Sequence, residues 1–373
     1  MISSVYSVHN KLTRRGSMEE FVGIAEIAKM FDVTPAAVTN WRSRCNDFPK
    51  PVTVLKSGPI FRSEQIIKWN RRKNDMAAKT IAFINLKGGV AKTTTTVGVG
   101  EVLSGKFEKK ILIIDLDPQT NATTMLIGDN KWYELDEQGY TLATLFSDAI
   151  NDTAKFDLEK TLQKSVGDIK EAGTIDLLPS SLRLIDLQDR LTLMPAGQFG
   201  TRNPVNILLR GIKSILNNYN YILIDCPPNL GYITLNGLRI ADGYVIPTIP
   251  DVLSTYGIPQ IVTRISTFSE EINSETGESI VPIGIVATKV RGQAPIHMRT
   301  LTQMKNRAGK MIKDTKALFP EVFNTCFYES AQISAAAEYQ QNRLTLRQKW
   351  GYDGQYDTFE TFSQELMTAC EVL

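Results

Sequence analysis

Apolar positions along the chain follow two different rhythms, and the change between them divides the sequence. Near the front, Ile24, Ile27, Ala28 and Phe31 recur at helical spacing, and a second helical pattern after Asp32-Val33-Thr34 carries Val38 and Trp41. Thr34 before Pro35 is a strong helix start, a capping hydroxyl followed by a proline at the first helical position. The helix from Pro35 to Arg44 then turns Ala36, Ala37, Thr39, Asn40, Arg42, Ser43 and Arg44 outward. Pro51 to Leu55 and Ile60-Phe61 flank Lys56-Ser57-Gly58-Pro59, which predicts a short hairpin. Ser63 starts a further helix through Ile66, Ile67 and Trp69. From residue 80 the rhythm changes to continuous apolar runs: Ile81 to Leu86, Ile111 to Ile114, Tyr221 to Ile224, Tyr244 to Pro247 and Pro282 to Ala287. Such runs suit strands buried on both faces of a parallel sheet. Helical signals between them, such as Val97 to Leu103 and Asn203 to Leu216, predict an α/β doubly wound, mostly parallel sheet with right-handed crossovers and a small N-terminal domain.

Composition narrows this. The 373 residues, 42% hydrophobic and 22% charged, suit one large α/β domain plus a small one. Four cysteines without C-x-x-C spacing, and only 2 histidines, argue against a disulfide framework or a zinc site and suit a reducing cytoplasm. Neither a signal peptide nor a run of ~18 apolar residues is present. The net charge of +2 is uneven: residues 1–79 hold 14 Lys and Arg against 7 Asp and Glu, leaving the remainder acidic. A basic front end points to nucleic acid. Residues 1–20, with Lys11, Arg14 and Arg15, read as an arm that dimerises, touches DNA or is simply frayed, and residues 73–79 read as a linker.

The chemistry concentrates in Thr80 to Thr96, TIAFINLKGGVAKTTTT. A strand feeds a glycine-bearing turn, then a helix whose first turn holds Lys92 and threonines. Loop and helix N–H groups in that arrangement converge on phosphate oxygens, and the lysine adds a point charge. The sequence departs from G-x-x-x-x-G-K-[ST], with Leu86 and Ala91 at the two glycine positions, and it adds Lys87 at the mouth. Two later strands end in carboxylates: Ile111 to Ile114 in Asp115-Leu116-Asp117-Pro118-Gln119, and Tyr221 to Ile224 in Asp225, before Cys226-Pro227-Pro228-Asn229-Leu230-Gly231. Ligands of open α/β sheets bind at that end of the strands.

Lys87-Gly88-Gly89-Val90-Ala91-Lys92-Thr93-Thr94, with the two carboxylate motifs behind it, resembles the deviant Walker A loop of the ParA/MinD superfamily. The front end, A-E-I-A-K-M-F-D-V-T-P-A-A-V-T-N-W onward over residues 21–72, resembles a winged helix-turn-helix of the MerR/AlpA kind. Together they resemble the type Ia ParA partition ATPases of plasmids and prophages, with the ATPase domain spanning residues 80–373. The resemblance implies ATP or ADP with Mg²⁺ as ligands. Gly88 to Thr94 would cradle the phosphates, Lys92 contacting the β- and γ-phosphates, and Thr93, Asp115 and Asp225 would serve the metal. Asp117 would orient the attacking water, and Lys87 would reach a partner subunit's phosphates in a homodimer. Pro247, Thr288 and Lys289 would flank the purine. It also implies nucleoid-associated, cytoplasmic action on DNA together with a ParB-type centromere-binding protein. Operator DNA would be read through Thr39, Asn40, Arg42 and Arg44. Nonspecific DNA would be gripped by Arg291, Arg299, Lys305 and Arg307, with Lys310 and Lys313 nearby.

Two relatives within the superfamily fit less well. A membrane-binding MinD-like protein needs a basic amphipathic C-terminal helix. After Lys349 this chain has no Lys or Arg, and carries Asp353, Asp357, Glu360, Glu365 and Glu371. A biosynthetic amidation or carboxylation enzyme needs neither the winged domain nor Lys87. An ATP-switched transcriptional regulator without cargo fits the residues as well as a partition protein does.

Overall fold

A computed structural model describes residues 21–31, 33–45, 48–67, 69, 78–194 and 203–373. The expected arm at 1–20 and most of the linker lie outside them. The chain separates into two compact units, the first running to Ala77 and the second beginning at Ala78. The division falls inside the expected linker. Against expectation, Phe268–Ser279, the end of a long helix, groups with the first unit.

In the first unit, strands β1 (Phe21–Val22), β2 (Thr53–Leu55) and β3 (Gly58–Arg62) form an antiparallel sheet in the order β1-β3-β2. Leu55 pairs with Gly58, whose φ of 127° suits the tight turn at Lys56-Ser57. Helices Ile24–Met30 and Pro35–Arg44 pack against one another and a turn of helix spans 63–67. The Thr34 hydroxyl accepts from Ala37 N–H at 3.2 Å, the cap the sequence predicts. The core holds Ile27, Ala28, Val38, Phe61 and Ile66, closed by Phe48 against the Trp69 ring at 4.7 Å. Trp41, expected in the core, is only half-buried and edges onto Trp69.

The second unit is built on seven parallel strands: β4 (Lys79–Phe83), β5 (Ile111–Asp115), β6 (Ile175–Leu178), β7 (Tyr221–Asp225), β8 (Gly243–Thr248), β9 (Val281–Val290) and β10 (Val322–Tyr328). Their order is β10-β9-β8-β4-β7-β5-β6, with β4 at the centre. Because every strand is parallel, all the carboxyl ends lie along one edge. The helix after β4, Lys92–Gly105, starts earlier than its apolar pattern suggests because the four threonines join it.

The last eighty residues, illegible as a sequence, complete the core. Helix Gln355–Ala369 lays Phe359, Phe362 and Leu366 into the cluster that includes Val97, Val99 and Leu103 of the Lys92–Gly105 helix. Its close approach needs Gly98, where a Cβ would overlap the Phe359 ring. That ring is walled by Trp350 at 4.4 Å and Phe327 at 4.6 Å. Gly98→Ala therefore gains about 1 kcal/mol of helix propensity but loses about 3 kcal/mol to overpacking against a ring that cannot retreat. Thermal unfolding should show a net loss of stability that Phe359→Leu partly restores.

Candidate active site

The site is assembled by register. Asp115 and Asp225 are Cα partners on adjacent strands β5 and β7, and Phe83, the last residue of β4, pairs with Asp225 on its other side. Neighbouring strands run about 4.8 Å apart. Two carboxylates and the start of the phosphate loop thus emerge side by side.

The loop is braced from outside. Asn85, buried, accepts from Lys87 N–H at 3.0 Å and donates to the Pro247 carbonyl at 2.8 Å. The Thr288 hydroxyl, also buried, donates to the Val90 carbonyl at 2.9 Å. Pro247 and Thr288, two of the three residues expected beside a purine, thus also hold the loop in place, and of that trio Lys289 alone is exposed. Gly88 and Gly89 are exposed, and a Cβ at either would meet no neighbour within 4 Å, so an open cradle lies beside them. Ala91 caps the helix at φ 61°, Thr120 at φ 57° precedes the helix after Asp117, and Lys289 stands at φ 48°. Three left-handed non-glycine residues, each about 1–2 kcal/mol of strain, cluster at the ends of the loops that shape one site.

Lys92 is nearly buried and its ammonium donates to the Lys87 carbonyl at 3.3 Å, spanning the loop. The Lys87 ammonium lies at the rim, 3.4 Å from Asp251. Thr93 and Thr94 are half-buried in the first helical turn. Asp115 accepts from Thr123 N–H at 2.9 Å, from the Thr123 hydroxyl at 2.7 Å and from Asp117 N–H at 3.0 Å. Burial nevertheless pushes its pKa up to about 7, with the Asp117 charge adding to the effect. Asp117, tied to Gln119 N–H at 3.0 Å, is raised by burial and held back in part by the Lys92 charge.

Asp225 is the most frustrated. Both its oxygens are buried without a well-formed hydrogen bond. Burial, and then the charge of Asp115, drive its pKa well above the carboxylate range, against a weaker pull from the Thr93 hydroxyl and Lys92. Among the described residues no three His, Cys, Asp or Glu side chains form a closed metal cage. A buried carboxylate without a well-formed hydrogen bond, next to a threonine hydroxyl and an open glycine loop, fits a magnesium ion that keeps most of its waters. Ser180 donates its hydroxyl to the Asp117 carbonyl at 2.7 Å and its N–H to the Thr123 hydroxyl at 3.0 Å. Asn85, Thr123, Ser180 and Asp251 escape sequence reasoning because each acts through contacts made only when strands and loops come together.

With this geometry in view, the comparisons with known proteins agree. Residues 78–277 match a family model described as AAA domain. The sporulation initiation inhibitor protein Soj of Bacillus subtilis is 28% identical over 69% of this chain and 87% of its own. The chromosome partitioning protein ParA of Myxococcus xanthus is 26% identical over 63% of this chain and 73% of its own. The chain belongs to the AAA-domain family. Its fold is shared by apo McdA of Cyanothece, at a TM-score of 0.55 and 19% identity over 78% of this chain and 99% of that one.

The surfaces expected to meet DNA are also placed. Thr39, Asn40 and Arg42 are exposed on the Pro35–Arg44 helix, while the side chain of Arg44 lies outside the described residues. Arg299, Lys305 and Arg307 are exposed on helix Pro295–Arg307, with Lys310 and Lys313 in the turn after it. Arg307 covers the Phe319 ring at 4.6 Å. Arg291 is exposed too, and its guanidinium pairs with both oxygens of Glu329, at 2.6 and 3.2 Å. Among the described residues no helix is long and apolar enough to cross a membrane.

A raised folded-state pKa makes an acid favour folding while protonated, so its contribution is lost as pH climbs through the folded value. Asp225→Asn should therefore stabilise the metal-free protein, with a gain in melting temperature that grows as pH rises above the ordinary carboxylate range. The same variant should lose magnesium-dependent nucleotide binding. A pH-independent difference in melting temperature would remove the argument for a frustrated carboxylate.

Proposed function

We propose that this protein is an ATP-hydrolysing DNA partition protein that uses nucleotide as a switch, and that the buried carboxylate of Asp225, without a well-formed hydrogen bond and close to Lys92, is the observation carrying that reading. The kinship with Soj and ParA supports it, and a solved McdA structure is itself an ATP complex.

Hydrolysis here rests on positioning and charge rather than covalent chemistry. The N–H groups of Gly88 to Thr94 receive phosphate oxygens, and Lys92 exchanges the Lys87 carbonyl for the β- and γ-phosphates. Thr93, Asp225 and Asp115 would hold magnesium, directly or through its waters, and when bound it would supply charge neutralisation at the phosphates. Asp117 holds the attacking water. Lys87 leaves Asp251 to reach the phosphates of a second copy, so ATP favours a homodimer. Pro247, Thr288 and Lys289 flank the base.

DNA enters in two ways. The first unit acts as a winged helix-turn-helix that reads an operator through Thr39, Asn40, Arg42 and Arg44 and represses its own gene. Arg299, Lys305 and Arg307 grip phosphates of any sequence, and two copies in the ATP dimer add their charge. A ParB-type partner stimulates hydrolysis and releases the dimer, on the nucleoid in the cytoplasm.

Lys92→Ala should abolish nucleotide binding in an equilibrium titration. Lys87→Ala should bind nucleotide yet neither dimerise with ATP nor hydrolyse it, and Asp117→Ala should bind and dimerise without turnover. Normal turnover in either of these last two reassigns its role.

The DNA modes should separate in fluorescence anisotropy with ADP and with a slowly hydrolysed ATP analogue. Asn40→Ala with Arg44→Ala loses operator binding and keeps ATP-dependent binding to random DNA. Arg299→Glu with Lys305→Glu does the reverse, and wild-type random binding falls steeply with salt. Parallel loss of both activities in both folded variants sinks the two-mode reading. ATPase assays with DNA and the product of the neighbouring gene test partition against a transcriptional switch without cargo.

A further inference from the structure

The C-terminal segment buries charges that the phosphate chemistry does not use. Lys349 and Glu101 are fully buried and Asp168 nearly so. The Lys349 ammonium donates to Glu101 Oε1 at 2.7 Å and to Asp168 Oδ1 at 2.9 Å. Glu101 Oε2 accepts from the Trp350 indole at 2.7 Å. Asp168 Oδ2 accepts from the Arg343 guanidinium and from Gln340 N–H. Two carboxylates and two cations balance in a dry interior.

The placement of this group matters more than its energy. Glu101 stands on the Lys92–Gly105 helix, whose first turn forms the phosphate cradle. Residues 338–350 run across it as a strap, paired through Lys170 N–H to the Arg343 carbonyl at 3.0 Å and Glu171 N–H to the Leu344 carbonyl at 3.2 Å. The strap also reaches helix Asn121–Gln138, which carries Thr123, the partner of Asp115. That helix kinks at Gly128, φ 74°, and a Cβ there would come within 3.0 Å of the Tyr339 ring. One strap therefore touches both helices that position the catalytic groups. A buried ion cluster seldom stabilises more than apolar packing of the same volume. Unlike apolar packing, its hydrogen bonds close in a single register.

We propose that Lys349 is a positioning residue: by clamping the strap to Glu101 and Asp168 it seats the helix behind the phosphate loop and the helix that carries Thr123 on the sheet, and hence sets nucleotide affinity. This rests on the nucleotide reading above. Lys349→Met leaves two buried carboxylates facing one cation, which opens the clamp. Glu101→Gln combined with Lys349→Met removes one charge of each sign and leaves Asp168 with Arg343, so the strap closes again.

The test is an equilibrium titration of Mg·ADP on the full chain, each variant held well below its own melting temperature. Lys349→Met should weaken binding about tenfold or more, the scale on which small displacements of reacting groups act. The charge-balanced double variant should recover most of it, whatever its melting temperature. Wild-type affinity in Lys349→Met overturns the proposal, as does an equal loss in the double variant. If Lys349→Met does not fold, Glu101→Gln, which leaves a surplus cation, takes its place with the same expected loss and recovery. A wild type that binds no nucleotide sinks the proposed function and this inference with it.

Discussion

The structure depends on one electrostatic constraint: Asp115, Asp117 and Asp225 are buried within reach of one another and of a single nearby cation, Lys92. Removing carboxylates from water without partners is among the most expensive things a fold can do. Here the expense is imposed by the sheet. Parallel pairing of β5 with β7 sets Asp115 opposite Asp225, and no rotamer can separate groups whose backbones are hydrogen-bonded neighbours. Burial raises the pKa of all three carboxyls. A divalent cation held among them would relieve the conflict, so its binding would be favoured by strain already present. The left-handed residues Ala91, Thr120 and Lys289 belong to the same picture, since a rigid surround is needed to hold both kinds of strain.

Much of this was legible in the chain. Continuous apolar runs ending in Asp115 and Asp225 announced buried parallel strands with ligands at their carboxyl ends, because strand burial leaves a composition signature that survives without any partner. Thr34-Pro35 announced a helix start for an equally local reason. What escaped was non-local. Nothing around Thr288 distinguishes a hydroxyl that braces Val90 from one that faces a base, and nothing around Arg291 reveals Glu329 across the sheet edge. The C-terminal helix hid for a related reason. Its acidic outer face dominates its composition, while its contribution to the core is a few aromatics that mean little until Gly98 is known to lie beneath Phe359.

Strand order carries a consequence for how such a chain is made. β7 lies between β4 and β5, so the two strands that lead into the phosphate loop and Asp115 cannot find their neighbour until a segment far downstream has been synthesised. At ribosomal speed the stretch from Ile111 to Tyr221 takes roughly 5 to 20 s to emerge. During that time β4 waits without a strand neighbour and β5 has β6 alone to pair with, and the final closure over Gly98 waits for the C-terminal helix. The architecture that gathers its ligands at one sheet edge thus makes the nascent chain dependent on protection from aggregation while its own second half is still in the ribosome.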